Sequence, residues 1–371
     1  VGTSMKGSDS PDTNPPPAPP CGQGGGTLGD RLQRLIEASG PISVADYMAL
    51  ANAHYYASRD PFGRGGDFTT APEISQMFGE LVGLCLADAW DRAGRPAGAH
   101  YVELGPGRGT LAEDALRAMR AAGLEPPVEL VETSPLLRRA QAQRVPRARW
   151  HDALDSLPSD GPLLVVANEF FDALPARQLV AAPDGWRERR VAVEEDRFVP
   201  RAGPPFPAGS LPESVRGAPQ GTVVEASPAS LGIVRLLAQR LARQGGIALI
   251  VDYGHARTSA GETLQAVRNH AYADPWVEPG ESDLTVHVDF EALAAAALGE
   301  GVRAFGPAPQ GVWLGRLGIV ERSAALAAAA PRRRIEIEGA RDRLTAPEQM
   351  GSLFKVLALA AAQWPDPAGF E

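Results

Sequence analysis

The sequence predicts an α/β protein whose core is a doubly wound sheet preceded by a helical cap. From residue 100 onward, apolar runs at 100–104, 128–132, 147–150, 163–167 and 246–252 alternate with helical stretches at 110–122, 135–144 and 229–243. Strands of this kind, joined by helices, belong to a parallel sheet covered on both faces. The first strand runs into a glycine-rich turn, "YVELGPGRGTLAEDALRAM" over residues 101–119, the place where such sheets receive a nucleotide-like ligand. The 371 residues, 44% hydrophobic and 22% charged, are enough for a substantial core and about two domains.

The elements follow in order. Residues 1–26 are rich in Pro, Gly and Ser with almost no large apolar group, so a disordered tail is expected there. A helical cap is expected over 27–98. Leu28, Leu32, Leu35 and Ile36 mark one helical stripe, and Ser43 opens a second helix through Tyr47, Leu50 and Tyr55. The glycines and proline of 59–70 read as a loop. A single helix is expected over 71–90, with Pro72 in its first turn and Ile74, Phe78, Leu81 and Cys85 on one face. The remaining 99–371 form the sheet domain, with two insertions. One, 176–224, contains a hairpin-like run turning at Asp184-Gly185; the other spans 261–288. Near the end, Thr345 and Glu348 have the spacing of a capping box, which predicts a helix around 350–362.

The charge balance narrows the function. With 36 basic and 45 acidic residues the net charge is −9, which argues against non-specific binding to nucleic acid or anionic lipid. The two cysteines, Cys21 and Cys85, make no disulfide framework. No run approaches the roughly 18 apolar residues of a membrane span. The first thirty residues hold neither arginine nor an apolar signal core, so the expected location is cytoplasmic. Six histidines show no metal-binding spacing, and neither a G-x-S-x-G elbow nor a GxxxxGK[ST] loop is present.

Gly105, Gly107 and Gly109 space as G-x-G-x-G around Pro106, one position short of the dinucleotide fingerprint, whose third site is Thr110. Glu103 decides more than the glycine count. An acid at the strand's carboxyl end would repel the pyrophosphate of NAD by a few kcal/mol at an effective dielectric near 20. It would favour S-adenosylmethionine, which brings an ammonium and a sulfonium. The bland alternative is a tight turn beside a surface acid. Glu132 ends the next strand, where an acid accepts both ribose hydroxyls; a surface acid capping the turn is the alternative. Asp152 follows the third strand, placed for the adenine amino group or for solvent. "ANEFFDALP" (167–175) follows the fourth strand. There Asn168 can hold the cofactor's amino-acid end, and Glu169 and Asp172 can orient a nucleophile, with Phe170 and Phe171 as core. His54, with Tyr55 and Tyr56, lines a pocket or packs within its helix.

These segments, with "GDFTTAPEISQMFGELVG", "LVETSPLLR", "VDYG", "TLQAVRNHAYADP", "DLTVHVDF", "QGVWLGRLGI" and "MGSLFKVLA" in that order, resemble the MidA-like S-adenosylmethionine-dependent methyltransferases. That is the family of a mitochondrial complex I assembly factor and its bacterial relatives, and the resemblance runs from about residue 30 to 360. It implies a class I, Rossmann-like methyltransferase fold with a mixed seven-stranded sheet, and a cofactor loop from Glu103 to Gly109 with Glu132 as the ribose acid. For the mitochondrial member it implies methylation of an arginine in a core complex I subunit. The expected function is therefore methyl transfer from S-adenosyl-L-methionine to a protein arginine, with a complex I subunit as the candidate partner. An arginine arrives charged, so carboxylates must hold its guanidinium. Glu169 and Asp172 are the first candidates; Asp67 and Glu73 are the second, if the N-terminal loop folds over the site. His54 and His287 are candidates to relay the departing proton. Three alternatives stay open: a small-molecule methyltransferase with the N-terminal helices as a lid, a cofactor-binding assembly chaperone with little turnover, and an NAD-dependent oxidoreductase, weakened by Thr110 and Glu103.

Overall fold

A computed structural model describes residues 26–58, 69–268 and 270–370. The expected tail up to residue 25, and Asp67 in the expected loop, lie outside the described residues.

The cap begins with α1 (Leu28–Ser39), whose first turn is closed by a reciprocal capping box. The Asp30 amide donates to the Thr27 hydroxyl at 3.2 Å and the Thr27 amide to the Asp30 carboxylate at 2.7 Å. Leu28, Leu32 and Ile36 are buried as the stripe requires, while Leu35 stays exposed. After the two-residue strand β1 (Ile42–Ser43) comes α2 (Val44–Ser58), where the Ser43 hydroxyl accepts from the Asp46 amide at 2.9 Å. The single helix expected over 71–90 is two: α3 (Ala71–Ile74) and α4 (Gln76–Arg92). Ser75 between them is extended, and its hydroxyl accepts from the Met77 amide to cap α4. Apolar spacing continues across that break, so periodicity alone could not reveal it.

The sheet domain follows. Strand β2 (His100–Leu104) leads into α5 (Thr110–Ala121), β3 (Val128–Val131) into α6 (Pro135–Arg144), and then come β4 (Arg149–His151) and β5 (Leu163–Asn168). The first insertion holds β6 (Arg177–Ala182), β7 (Gly185–Glu194), β8 (Arg197–Pro205), α7 (Glu213–Arg216) and β9 (Val223–Ala226). The expected hairpin is present, with Ala182 paired to Gly185. Next come α8 (Pro228–Gln244) and β10 (Gly246–His255). The second insertion contributes β11 (Gln265–Arg268), β12 (Ala271–Ala273), β13 (Asp283–Thr285) and β14 (Val288–Asp289). The chain finishes with α9 (Phe290–Leu298), β15 (Arg303–Pro309), α10 (Gln310–Arg316), α11 (Ile319–Ala329), α12 (Arg334–Thr345) and β16 (Phe354–Ala360).

The central sheet runs β15-β16-β10-β5-β2-β3-β4, parallel from β10 to β4 and antiparallel at β16 and β15. This is the mixed seven-stranded sheet the resemblance implies, with β14 adding a short pairing at the end of β10. Alternate residues feed two cores: Tyr101, Leu164, Val166, Ile247 and Leu249 face one, Val102, Leu163, Val165, Ala248 and Ile250 the other. The helix expected around 350–362 is instead the strand β16. Its run "FKVLALA", apolar and buried but for Lys355, lies between β10 and β15, where helical residues could not complete the ladder on both sides. Thr345 ends α12 rather than opening a helix, its hydroxyl donating back to the Arg341 carbonyl at 2.9 Å.

The chain leaves β2 toward β3 on one side and returns to β5 on the other. The crevice at the carboxyl ends of β2 and β5 is therefore the topological switch point of the sheet. The cap reaches over it. Strand β1 pairs antiparallel with β7 of the first insertion, and α1 and α2 share a core with Val191, Ala266 and Leu284 from both insertions. Helix α4 packs on α5, so closely that a Cβ at Gly83 would strike the Ala115 carbonyl.

Candidate active site

At the switch point, the turn from β2 to α5 holds Gly105, Gly107 and Gly109 at φ 61°, 52° and 81°, a left-handed backbone that strains residues with a Cβ. At Gly105 a Cβ would also meet the Phe170 ring at 2.8 Å. Glu103, two residues earlier, is buried and accepts a 2.6 Å hydrogen bond from the Tyr101 hydroxyl. Burial pushes its carboxyl up to about 8; the tyrosine bond opposes this by favouring the ionised form. Glu103, Gly105, Pro106, Gly107 and Asn168 line one small cavity. Asn168 ends β5, and its buried Oδ1 has no hydrogen-bond partner among the described residues. A buried orphan acceptor is costly unless a ligand donor meets it. An ammonium beside Asn168 Oδ1 and Glu103 satisfies both, so these residues fit the amino-acid end of S-adenosylmethionine.

Glu132 lies just past β3, where its carboxylate accepts from the Ser134 amide at 2.8 Å and from Gln141 at 3.2 Å. Burial raises its pKa against those bonds. The same Gln141 amide donates to the Gly107 carbonyl at 2.7 Å, so one fully buried side chain ties the glycine turn to the ribose candidate. Sequence reading missed Gln141, since a glutamine within a helix carries no signal of its own. The Asp152 side chain is 86% exposed and paired with Arg138 at 2.6 Å. It does not line the glycine-turn cavity, being placed at the sheet's rim with β4.

Glu169 starts the turn after β5 in a left-handed conformation, φ 49°, uncommon for a residue with a side chain. Its carboxylate accepts from the Ala71 amide at 3.0 Å and from Asn168 at 3.2 Å. Burial pushes it up to about 7, the Ala71 bond lowers it, and the charge of Asp172 raises it further. Glu169 lines the glycine-turn cavity and a second one of about 480 Å³. Asp172 faces that second cavity, its pKa raised by burial and lowered by hydrogen bonds from Tyr253 and the Ala173 amide. Asp252, three residues before the end of β10, holds the turn: its Oδ2 accepts from the amides of Phe170, Phe171 and Asp172 at 3.2, 3.0 and 3.3 Å. Burial raises the Asp252 pKa well above its ordinary value, and the charges of Asp172 and Glu169 add to the rise.

The remaining candidates separate. His287 lines the large cavity with its ring 5.6 Å from Tyr253, and burial lowers its pKa. His54 does not line it; it packs against Gly280, while Tyr56, two residues on, does and donates to Asp283 at 2.9 Å. Glu73 accepts from the Thr110 hydroxyl at 2.7 Å and lines the glycine-turn cavity, not the large one. Sequence reading also missed Tyr56 and Asp283 as a pair, because only the placement of β13 beside α2 joins them. Among the described residues no cluster of His, Cys, Asp and Glu can hold a metal, and no helix is long and apolar enough to cross a membrane.

The chain is similar to known proteins. A family profile described as an S-adenosyl-L-methionine-dependent methyltransferase matches residues 81–308. The protein arginine methyltransferase NDUFAF7 homolog, mitochondrial, of Drosophila melanogaster is 38% identical over 95% of this chain and 89% of its own length. The mitochondrial protein arginine methyltransferase NDUFAF7 of Homo sapiens is 35% identical over 90% and 83%. A Burkholderia thailandensis crystal structure with S-adenosyl-homocysteine bound superposes with a TM-score of 0.81 at 31% identity, covering 92% of this chain and 93% of that one. With a switch-point crevice built from Glu103, the three glycines and Asn168, and with relatives of this extent, the chain belongs to the family of S-adenosyl-L-methionine-dependent methyltransferases.

Proposed function

We propose that this enzyme methylates an arginine side chain of a protein, and that the protein is a core subunit of respiratory complex I. The observation that carries the reading is Glu169. It lines both the cofactor crevice and the large cavity beside it, whose walls hold Asp172 and Asp283 as well. Among the described residues, the cavity's three acids outnumber the one arginine of its lining, Arg343, and so favour a cationic acceptor. The relatives named as protein arginine methyltransferases support the same class, and the family resemblance supplies the complex I subunit.

When bound, S-adenosylmethionine supplies a methyl group on a sulfonium, already activated for displacement. Glu103 and Asn168 hold its amino-acid end, Glu132 its ribose, and the glycine turn lets the backbone approach. Positioning of the reacting groups is worth roughly 7–11 kcal/mol in effective-molarity terms. Glu169 and Asp172 grip the guanidinium and fix its plane. Methylation of a guanidinium nitrogen releases one proton; the Glu169 carboxylate, with a pKa near 7, is placed to take it.

The test is incubation with labelled S-adenosylmethionine and purified complex I core subunits, followed by peptide mass spectrometry. Methylarginine at one defined site is expected. Labelled methyl on none of the subunits would remove the complex I assignment.

A further inference from the structure

We propose that the small sheet β11–β12–β13 is the recognition channel for the acceptor arginine, with Asp283 as the carboxylate at its inner end and Tyr272 at its mouth. The inference rests on the arginine reading above and deepens it.

The register of the sheet makes the argument. Val267 of β11 pairs with Tyr272 of β12 on one side and with Asp283 of β13 on the other. Directly paired residues in an antiparallel sheet project to the same face. Tyr272, Val267 and Asp283 therefore form one row across three strands, and all three line the large cavity. The row is graded: Tyr272 is 82% exposed, Val267 half-buried, and Asp283 only 4% exposed. An aromatic rim, an aliphatic middle and a buried carboxylate match an arginine side chain read from its backbone end to its guanidinium. The length agrees as well. Two strand spacings give about 10 Å from rim to acid. An extended arginine reaches roughly 6–7 Å from Cα to guanidinium, leaving room for one contact distance to the carboxylate.

Asp283 accepts from the Tyr56 hydroxyl at 2.9 Å and has a further interaction besides, and a carboxylate offers about four acceptor positions, so a guanidinium N–H can join them. Glu169 reaches the same cavity from another wall, the turn after β5. Two carboxylates from different walls suit a planar cation with donors on more than one edge, which a lysine ammonium lacks. Asp283 is thus a substrate-binding residue separate from the turn that carries Glu169 and Asp172.

The test uses the full chain loaded with S-adenosyl-homocysteine and titrated with N-acetyl-arginine methylamide, its citrulline isostere and its lysine counterpart. The wild-type protein is expected to prefer the arginine probe. Asp283→Asn should weaken that probe about tenfold or more, the loss of a charge-assisted bond, and leave citrulline and S-adenosyl-homocysteine affinity unchanged. Val267→Phe should block all three probes by filling the middle of the row. Tyr272→Ala, at an exposed position that leaves folding intact, should weaken the arginine probe severalfold. Wild-type arginine affinity in both Asp283→Asn and Val267→Phe would overturn the channel while leaving an arginine acceptor standing. No preference of the wild-type protein for arginine over citrulline would overturn both.

Discussion

Glu169 combines a left-handed backbone, partial burial and two hydrogen-bond donors on one carboxylate, and its chemistry follows from that combination. Its pKa of about 7 lies above the usual carboxylate range, so the ionised form that grips a guanidinium is lost as pH falls through 7. Transfer should therefore decline below pH 7, and Glu169→Gln should abolish that limb and slow turnover about 10²-fold or more, the usual scale of acid–base contributions. Cofactor affinity should stay near normal; a parallel loss of S-adenosyl-homocysteine binding by calorimetry would assign Glu169 to the cofactor instead. Glu103 offers the opposite trade. Folded it titrates near 8, against 4.5 ordinarily, so between those values the folded state binds more protons than the unfolded one. Its contribution to stability is complete below pH 4.5 and is lost as pH rises toward 8. Denaturant titrations should show Glu103→Gln gaining on the wild type across that window while binding S-adenosylmethionine more weakly. An unchanged pH slope would mean that Glu103 is ionised throughout. The glycines, Glu103, Asn168, Glu169 and Asp172 were legible because each lies at or just past a strand end that the apolar pattern marks. Asp252, Asp283 and Gln141 were not, since their roles come from a neighbouring strand or helix rather than from local spacing.

Among elements, the α4–α5 contact supports the cofactor turn from behind. Gly83 on α4 faces the Ala115 carbonyl without room for a methyl group, and α5 begins directly after Gly109. Gly83→Ala should push the helices apart and cost about 1–3 kcal/mol, the usual penalty of overpacking. A lower denaturation midpoint at unchanged slope would record it, and a midpoint equal to wild type would show that the pair yields at little cost. The same pair of helices exposes the limit of sequence reading. Helix α4 is legible from its apolar face, but Ser75, which breaks it from α3, sits in uninterrupted periodicity. Strand β16 was illegible for a related reason: a seven-residue run, apolar but for Lys355, has the same pattern as a buried helix, and only its neighbours β10 and β15 decide between them.

At the scale of the molecule, the cap and the two insertions close over the sheet's carboxyl edge, and the large cavity draws its walls from the cap, the sheet and the second insertion: Tyr56 from α2, Glu169 from the turn after β5, Asp283 from the second insertion. The alternation of strands and helices disclosed the sheet, whereas the union of cap and insertions depends on the pairing of β1 with β7, two residues long and invisible in composition. The fold as described starts at the Thr27 capping box. Removing residues 1–25, which offer almost no apolar surface, should leave the melting temperature and cofactor affinity unchanged, whereas removing residues through Asp30 should lower the melting temperature by deleting the cap of α1. A drop of many degrees in the shorter deletion would contradict this. All of this serves one step, the passage of a methyl group from S-adenosylmethionine to an arginine. Its most direct test is incubation of the enzyme and of Glu169→Gln with labelled S-adenosylmethionine in a host lysate, with amino-acid analysis of the hydrolysed protein. Label recovered as methylarginine, strongly reduced in the variant, is the predicted result; label confined to small metabolites, or recovered on lysine or carboxylate groups, would contradict it.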